Sequence, residues 1–119
     1  MKFLMMIKHA EGAPGLEHPQ SLYEAMGKFV EESSKRGILK ETAGLQRTSA
    51  ARRIKSKGGK LTVTDGPFAE SKEIVGGFAI VETATREEAM AIAAQFMELH
   101  RIHVPDFECE SEIRPFQEF

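Results

Sequence analysis

The stretch Val63-Thr64-Asp65-Gly66-Pro67-Phe68-Ala69-Glu70-Ser71-Lys72-Glu73 joins two segments of different character. Gly66 accepts positive φ or a close backbone approach, and Pro67 restricts the chain that follows it, so the stretch reads as a rigid turn. Before it, strands near 50–56 and 60–65 flank Lys57-Gly58-Gly59-Lys60, whose paired glycines favour a tight hairpin. After it, Ile74 to Glu82 is rich in Val, Ile and Phe and reads as a core strand. Gly76-Gly77 within it marks a bulge or a close backbone approach.

Working outward, residues 2–9 form an apolar run between polar ends, as expected of a first strand buried on both faces. Gly12, Pro14, Gly15 and Pro19 make Ala10 to Pro19 a loop. From Gln20 to Arg36, Leu22, Tyr23, Met26, Phe29 and Val30 lie on one helical stripe. Ser21 with Glu24 suggests a capping box, and Gly37 suits the position just past the end. Residues 38–47 return as a second strand. Thr85 and Glu88 open a second helix, whose Ala89, Ile92, Ala93 and Phe96 repeat at helical spacing to about Leu99. Phe107, Cys109 and Ile113 then alternate with charged residues, as in a half-buried strand. The order is β-α-β, a hairpin, then β-α-β. With the hairpin treated as an insertion, the expected class is α+β, a ferredoxin-like split βαβ over residues 1–119 as one domain. Helices on one sheet face leave the other face apolar and uncovered, so a homodimer is expected.

Composition excludes several classes. Sixteen Lys+Arg against 18 Asp+Glu give a formal charge of −2, without the basic excess of a nucleic-acid binder. Arg52, Arg53, Lys55, Lys57 and Lys60 read as the polar side of the hairpin. Cys109 is the only cysteine, so there is no intramolecular disulfide framework. The five-residue apolar run between Lys2 and Lys8 is too short for a signal peptide or a membrane span, and cytoplasm is the expected location. No phosphate loop, dinucleotide fingerprint or nucleophile elbow occurs, and no cofactor is expected.

The 63–73 stretch resembles the signature of YCII-related proteins, the subset named DGPF after Asp65-Gly66-Pro67-Phe68. Met1-Lys2-Phe3, Ala25-Met26-Gly27-Lys28, Gly44-Leu45, Gly58-Gly59-Lys60, Gly76-Gly77-Phe78 and Glu112-Ile113-Arg114-Pro115 resemble the same family in the same order. The resemblance implies a dimeric α+β barrel with a cleft near the DGPF turn, which makes Pro67 and Phe68 expected ligand contacts. Most such proteins have no assigned activity, a few act on small molecules, and others occur beside or fused to sigma factors of the extracytoplasmic-function type. Where the family carries Gly-Glu-Gly-Leu, this chain has Thr42-Ala43-Gly44-Leu45 and lacks that carboxylate.

Two functions follow as expectations. One is a small-molecule-binding or regulatory module, linked to a sigma factor. The other is a small cofactor-independent enzyme of the lyase or hydrolase type, working in a dimer cleft. There Asp65, held on a rigid turn, would be the general acid or base. His9, in phase with Phe3, Met5 and Ile7 at the end of the first strand, would assist it. The bland alternatives are that Asp65 bonds its own turn and that His9 is a satisfied strand-end histidine. Glu70 and Glu73, with Lys72 between them, read as a solvated stretch. His100, His103, Asp106 and Cys109 crowd one region, but their spacing does not suit zinc and no metal is expected.

Overall fold

A computed structural model describes residues 1–12, 17–68 and 73–118. The elements are β1 (Lys2–His9), α1 (Gln20–Lys35), β2 (Leu39–Gly44), a short 3-10 turn (Thr48–Ala50), β3 (Arg52–Lys57), β4 (Lys60–Asp65), β5 (Ile74–Glu82), α2 (Arg86–His103) and β6 (Glu110–Pro115). β1, β2, β5 and β6 form one antiparallel sheet in the order β2-β5-β1-β6, while β3 and β4 pair only with each other. This is an α+β arrangement compatible with a ferredoxin-like fold carrying an inserted hairpin.

Alternation along the strands decides which side is core. Phe3 pairs with Val81, Met5 with Ala79 and Ile113, and Ile7 with Gly77 and Ser111, which sets these residues on one sheet face. Helix α2 covers that face. Phe3, Met5 and Val81 are buried with Ala89, Ile92 and Ala93, whose small alanines let the helix approach the sheet. A second cluster, Leu22, Val104 and Phe107, ties the start of α1 to the α2–β6 connection, and Cys109 packs against it just ahead of β6.

Helix ends follow local chemistry. Thr85 accepts from the Glu88 N–H at 3.2 Å, while Glu88 reaches back to the Ala84 N–H at 3.1 Å, so the second capping box forms. The first does not. Helix α1 begins at Gln20 with Pro19 as its N-cap, which puts Ser21 inside the first turn, where it cannot cap. Its hydroxyl instead hydrogen-bonds His103 at 3.1 Å. At the other end Gly37, at φ 73°, closes the helix as expected.

The hairpin turns on Gly58 and Gly59, at φ 59° and 77°, the positive values a two-residue turn requires. It projects from the body. The radius of gyration is 16.0 Å, against about 13.5 Å for a compact chain of this length. Ile54, Leu61 and Val63 lie on one face of the hairpin and are exposed.

Candidate functional site

Helix α1 carries a clear apolar stripe, yet only Leu22 and Ser33 of the helix are buried. Met26, Phe29 and Val30 stay half-buried because α1 stands off from β2 and β5. The space between is a cavity of about 590 Å³. Met26, Phe29 and Val30 wall it from α1, Ile92, Phe96 and His100 from α2, and Ile7, Thr42, Gly44 and Ala79 from the sheet. Its polar groups include His9, Glu11, His18, Arg47, His100 and Ser111. A mainly apolar cavity of this size with a few convergent polar groups has the make-up of a small-molecule site.

His9 owes its place to a bulge. The β1–β5 register slips between Ile7 and Lys8, so Ile7 faces Gly77, Lys8 faces Val75, and Gly76 is the extra residue. The His9 ring lies over Gly76, where a Cβ would come within 2.3 Å of Nε2. Phe107 supports the ring at a centroid distance of 5.2 Å. His9 Nδ1 is 2.9 Å from the Ala10 carbonyl. A carbonyl only accepts, so Nδ1 carries the proton and Nε2 is the basic nitrogen of the neutral ring. Gly76→Ala is therefore expected to push the ring aside while leaving the fold intact, since the obstructing group is a side-chain end and not backbone. Imidazole nitrogen shifts would report the move, and unchanged His9 shifts would contradict this account of Gly76.

Glu11 fastens the cavity mouth. Its carboxylate accepts from both the backbone N–H and the hydroxyl of Thr48, and the hydroxyl bond is the main reason its pKa falls below the usual carboxylate range. The charges of Arg47 and His9 add to that. Thr48 Oγ1 in turn accepts from the Phe68 N–H at 3.4 Å, and the Gly66 N–H donates to the Ala51 carbonyl at 2.8 Å. The DGPF turn is thereby locked onto the 48–51 segment, beside Arg47. Gly66 serves close approach and not positive φ, because a Cβ there would lie 1.7 Å from the Thr48 carbonyl oxygen. The Gly66–Pro67 peptide bond is cis.

His100 closes the inner end. Burial is the largest cause holding its pKa below the ordinary histidine value, with the nearby His18 adding to it and a hydrogen bond to the Phe96 carbonyl at 3.0 Å working against it. A lowered folded-state pKa means the unfolded chain takes up the proton first as pH falls. Its contribution to stability is full above about pH 6.5 and is lost as acidification passes below that value. Denaturation midpoints at pH 7.5, 6 and 5 are expected to fall less steeply for His100→Leu than for the native chain. Parallel profiles would exclude His100 as the source.

The residues expected from sequence are scattered. His9 lines the cavity and Asp65 does not. The Asp65 side chain is 73% exposed, and its Oδ1 lies 3.1 Å from Nε of Arg52, the residue it faces across the hairpin. Phe68 is buried beneath the Arg53 guanidinium, 3.7 Å above its ring, and lines a more open depression adjoining the cavity. Pro67 is exposed and lines neither. Glu70 and Lys72 lie outside the described residues, while Glu73 is exposed, with its carboxylate 3.8 Å from Lys8. Burial raises the Cys109 thiol pKa, which disfavours the reactive thiolate. Among the described residues no three His, Cys, Asp or Glu side chains are grouped as a metal ion needs. Glu11, His18 and Arg47 escaped the sequence reading. Glu11 follows His9 by two positions, and His18 precedes the proline that starts α1, but only the folded chain brings Arg47 beside them.

A family model described as the YCII-related domain matches residues 1–98. An uncharacterized protein of Rhizobium meliloti (strain 1021) is 39% identical over 66 residues, covering 56% of this chain and 50% of that protein. The chain thus spans about half the length of the curated relative it matches. The family match runs from β1 through most of α2 and so includes the bulge, the hairpin, the DGPF turn and most of the cavity wall. On that extent, the chain belongs to the YCII-related family.

Proposed function

We propose that this chain is a small-molecule-binding module whose site is the cavity between α1, α2 and the sheet. The observation that carries this is the incomplete burial of α1. Its Met26, Phe29 and Val30 line the cavity and stay only half-buried, although Met26 and Phe29 also touch the edges of the core clusters. Fully burying such a side chain stabilises by about 1.5–3 kcal/mol, and a ligand with an apolar body recovers part of that. A thermal-shift screen of small organic molecules tests the reading. A hit should lose its effect in Met26→Gln, which puts a polar amide in the wall while keeping side-chain length. A hit that stabilises both proteins equally binds elsewhere.

The same reading includes a homodimer built as an α+β barrel. Leu4, Met6, Phe78 and Ile80 lie on the sheet face opposite the helices, Leu4 paired with Ile80 and Met6 with Phe78. The Lys8–Glu112 ion pair borders this apolar stripe on the same face. A second copy would bury it. Sedimentation at micromolar concentration should give twice the chain mass, and Met6→Glu should halve it.

Catalysis is the second reading, favoured by one observation. With Nδ1 held by Ala10, the basic Nε2 of His9 is available for proton transfer in the cavity. Asp65 has no part in this version, because it lies in the hairpin ion pair. Consumption of a bound ligand that stops in His9→Gln would establish it.

A further inference from the structure

The chemistry of the cavity mouth narrows what enters. Arg47 lines the wall and is exposed at the rim. Among the described residues its guanidinium makes no hydrogen bond or ion pair, although the charge of Glu11 is close enough to be felt. Glu11 is the only carboxylate in the cavity lining among the described residues. Its two oxygens each accept from Thr48, and no hydrogen bond or ion pair joins it to Arg47 among the described residues. Among the described residues the mouth therefore offers a planar fork of N–H donors with no bound acceptor, beside the Nε2 edge of His9. A guanidinium fork matches a carboxylate in two parallel hydrogen bonds. The interior offers the reverse, a wall of Met26, Phe29 and Phe96 that suits a hydrocarbon body.

We propose that the ligand is an organic carboxylate with an aromatic or aliphatic body, its carboxylate bound by Arg47 and its body lying along α1. The inference rests on the cavity being a binding site and adds the sign of charge and the residue that reads it. The DGPF turn reaches this ligand indirectly, through Thr48, which it holds next to Arg47 in the chain. Asp65 does not touch the ligand.

Matched probes test the proposal. Dissociation constants are measured by calorimetry for 3-phenylpropionate and octanoate, and for the primary amide and the amine of each body. The native chain is expected to prefer the acid over the amide by at least tenfold and to reject the amine. In Arg47→Ala the acid should weaken to the level of the amide, whose own affinity should hardly change. Arg47→Lys, which keeps charge and loses the fork, should fall between. Asp65→Ala should behave as the native chain. Acid and amide binding equally, or the amine binding best, overturns the carboxylate assignment and leaves the cavity standing as a site. An acid preference that survives in Arg47→Ala removes Arg47 as its reader. Binding of none of the six probes overturns the cavity reading itself. Arg47 is exposed and its neighbours bond without it, so these variants are expected to fold, and the amide affinity checks that they have.

Discussion

Gly66→Ala is expected to destabilise the chain by about 3 kcal/mol, the upper end of the overpacking range. The new Cβ would sit 1.7 Å from the Thr48 carbonyl oxygen and 2.7 Å from its carbonyl carbon. Both are backbone atoms, so no side-chain rotation relieves the clash, and the turn must lift off the 48–51 segment. That motion breaks the Gly66–Ala51 and Phe68–Thr48 hydrogen bonds together and loosens the hold on the Glu11 carboxylate. At about 4 °C per kcal/mol for a domain of this size, the melting temperature should drop by about 12 °C. Gly27→Ala is the control. A Cβ at that exposed position in α1 meets nothing within 4 Å, and a helix-interior alanine gains about 0.5–1 kcal/mol over glycine. If Gly66→Ala melts with the native chain, the role given to the turn is wrong.

A second large effect is expected from Phe107→Ala, about 3–5 kcal/mol. Phe107 is buried with Leu22 and Val104, and this cluster holds the start of α1 to the end of α2. It also backs the site, since its ring lies 5.2 Å from the His9 ring and 5.0 Å from the His18 ring. Removing the ring opens a hole in a region where α1 is otherwise loosely packed, so the backbone has room to shift and the two histidines lose their support. Phe107→Leu refills most of the volume and should cost about 1.5 kcal/mol or less. Denaturant unfolding of the two variants measures the difference. A small effect for Phe107→Ala would mean that the second cluster does not anchor α1.

These two positions show how differently the chain discloses its parts. The DGPF turn was legible at once, because glycine and proline constrain backbone wherever they occur. Its partner was not, since nothing in the order of residues links Gly66 to Thr48 or Thr48 to Glu11. Asp65 drew attention as an acid on a rigid turn. Its exposure and its pairing with Arg52 depend on where the hairpin points, which local pattern does not encode.

By itself the sequence determined the elements: the amphipathic stripe of α1, the Thr85–Glu88 cap, the Gly58-Gly59 turn and the α+β order. Each of these is a short-range consequence of side-chain shape, backbone freedom or hydrophobic period. Only the tertiary structure decided how far α1 stands from the sheet, and so that Met26, Phe29 and Val30 wall a cavity. It alone brought His9 and Glu11, at the end of β1, together with Arg47 and Phe107 from three separate segments. The physical reason is that local preference acts over a few residues, whereas a site is made by packing between elements distant in the chain.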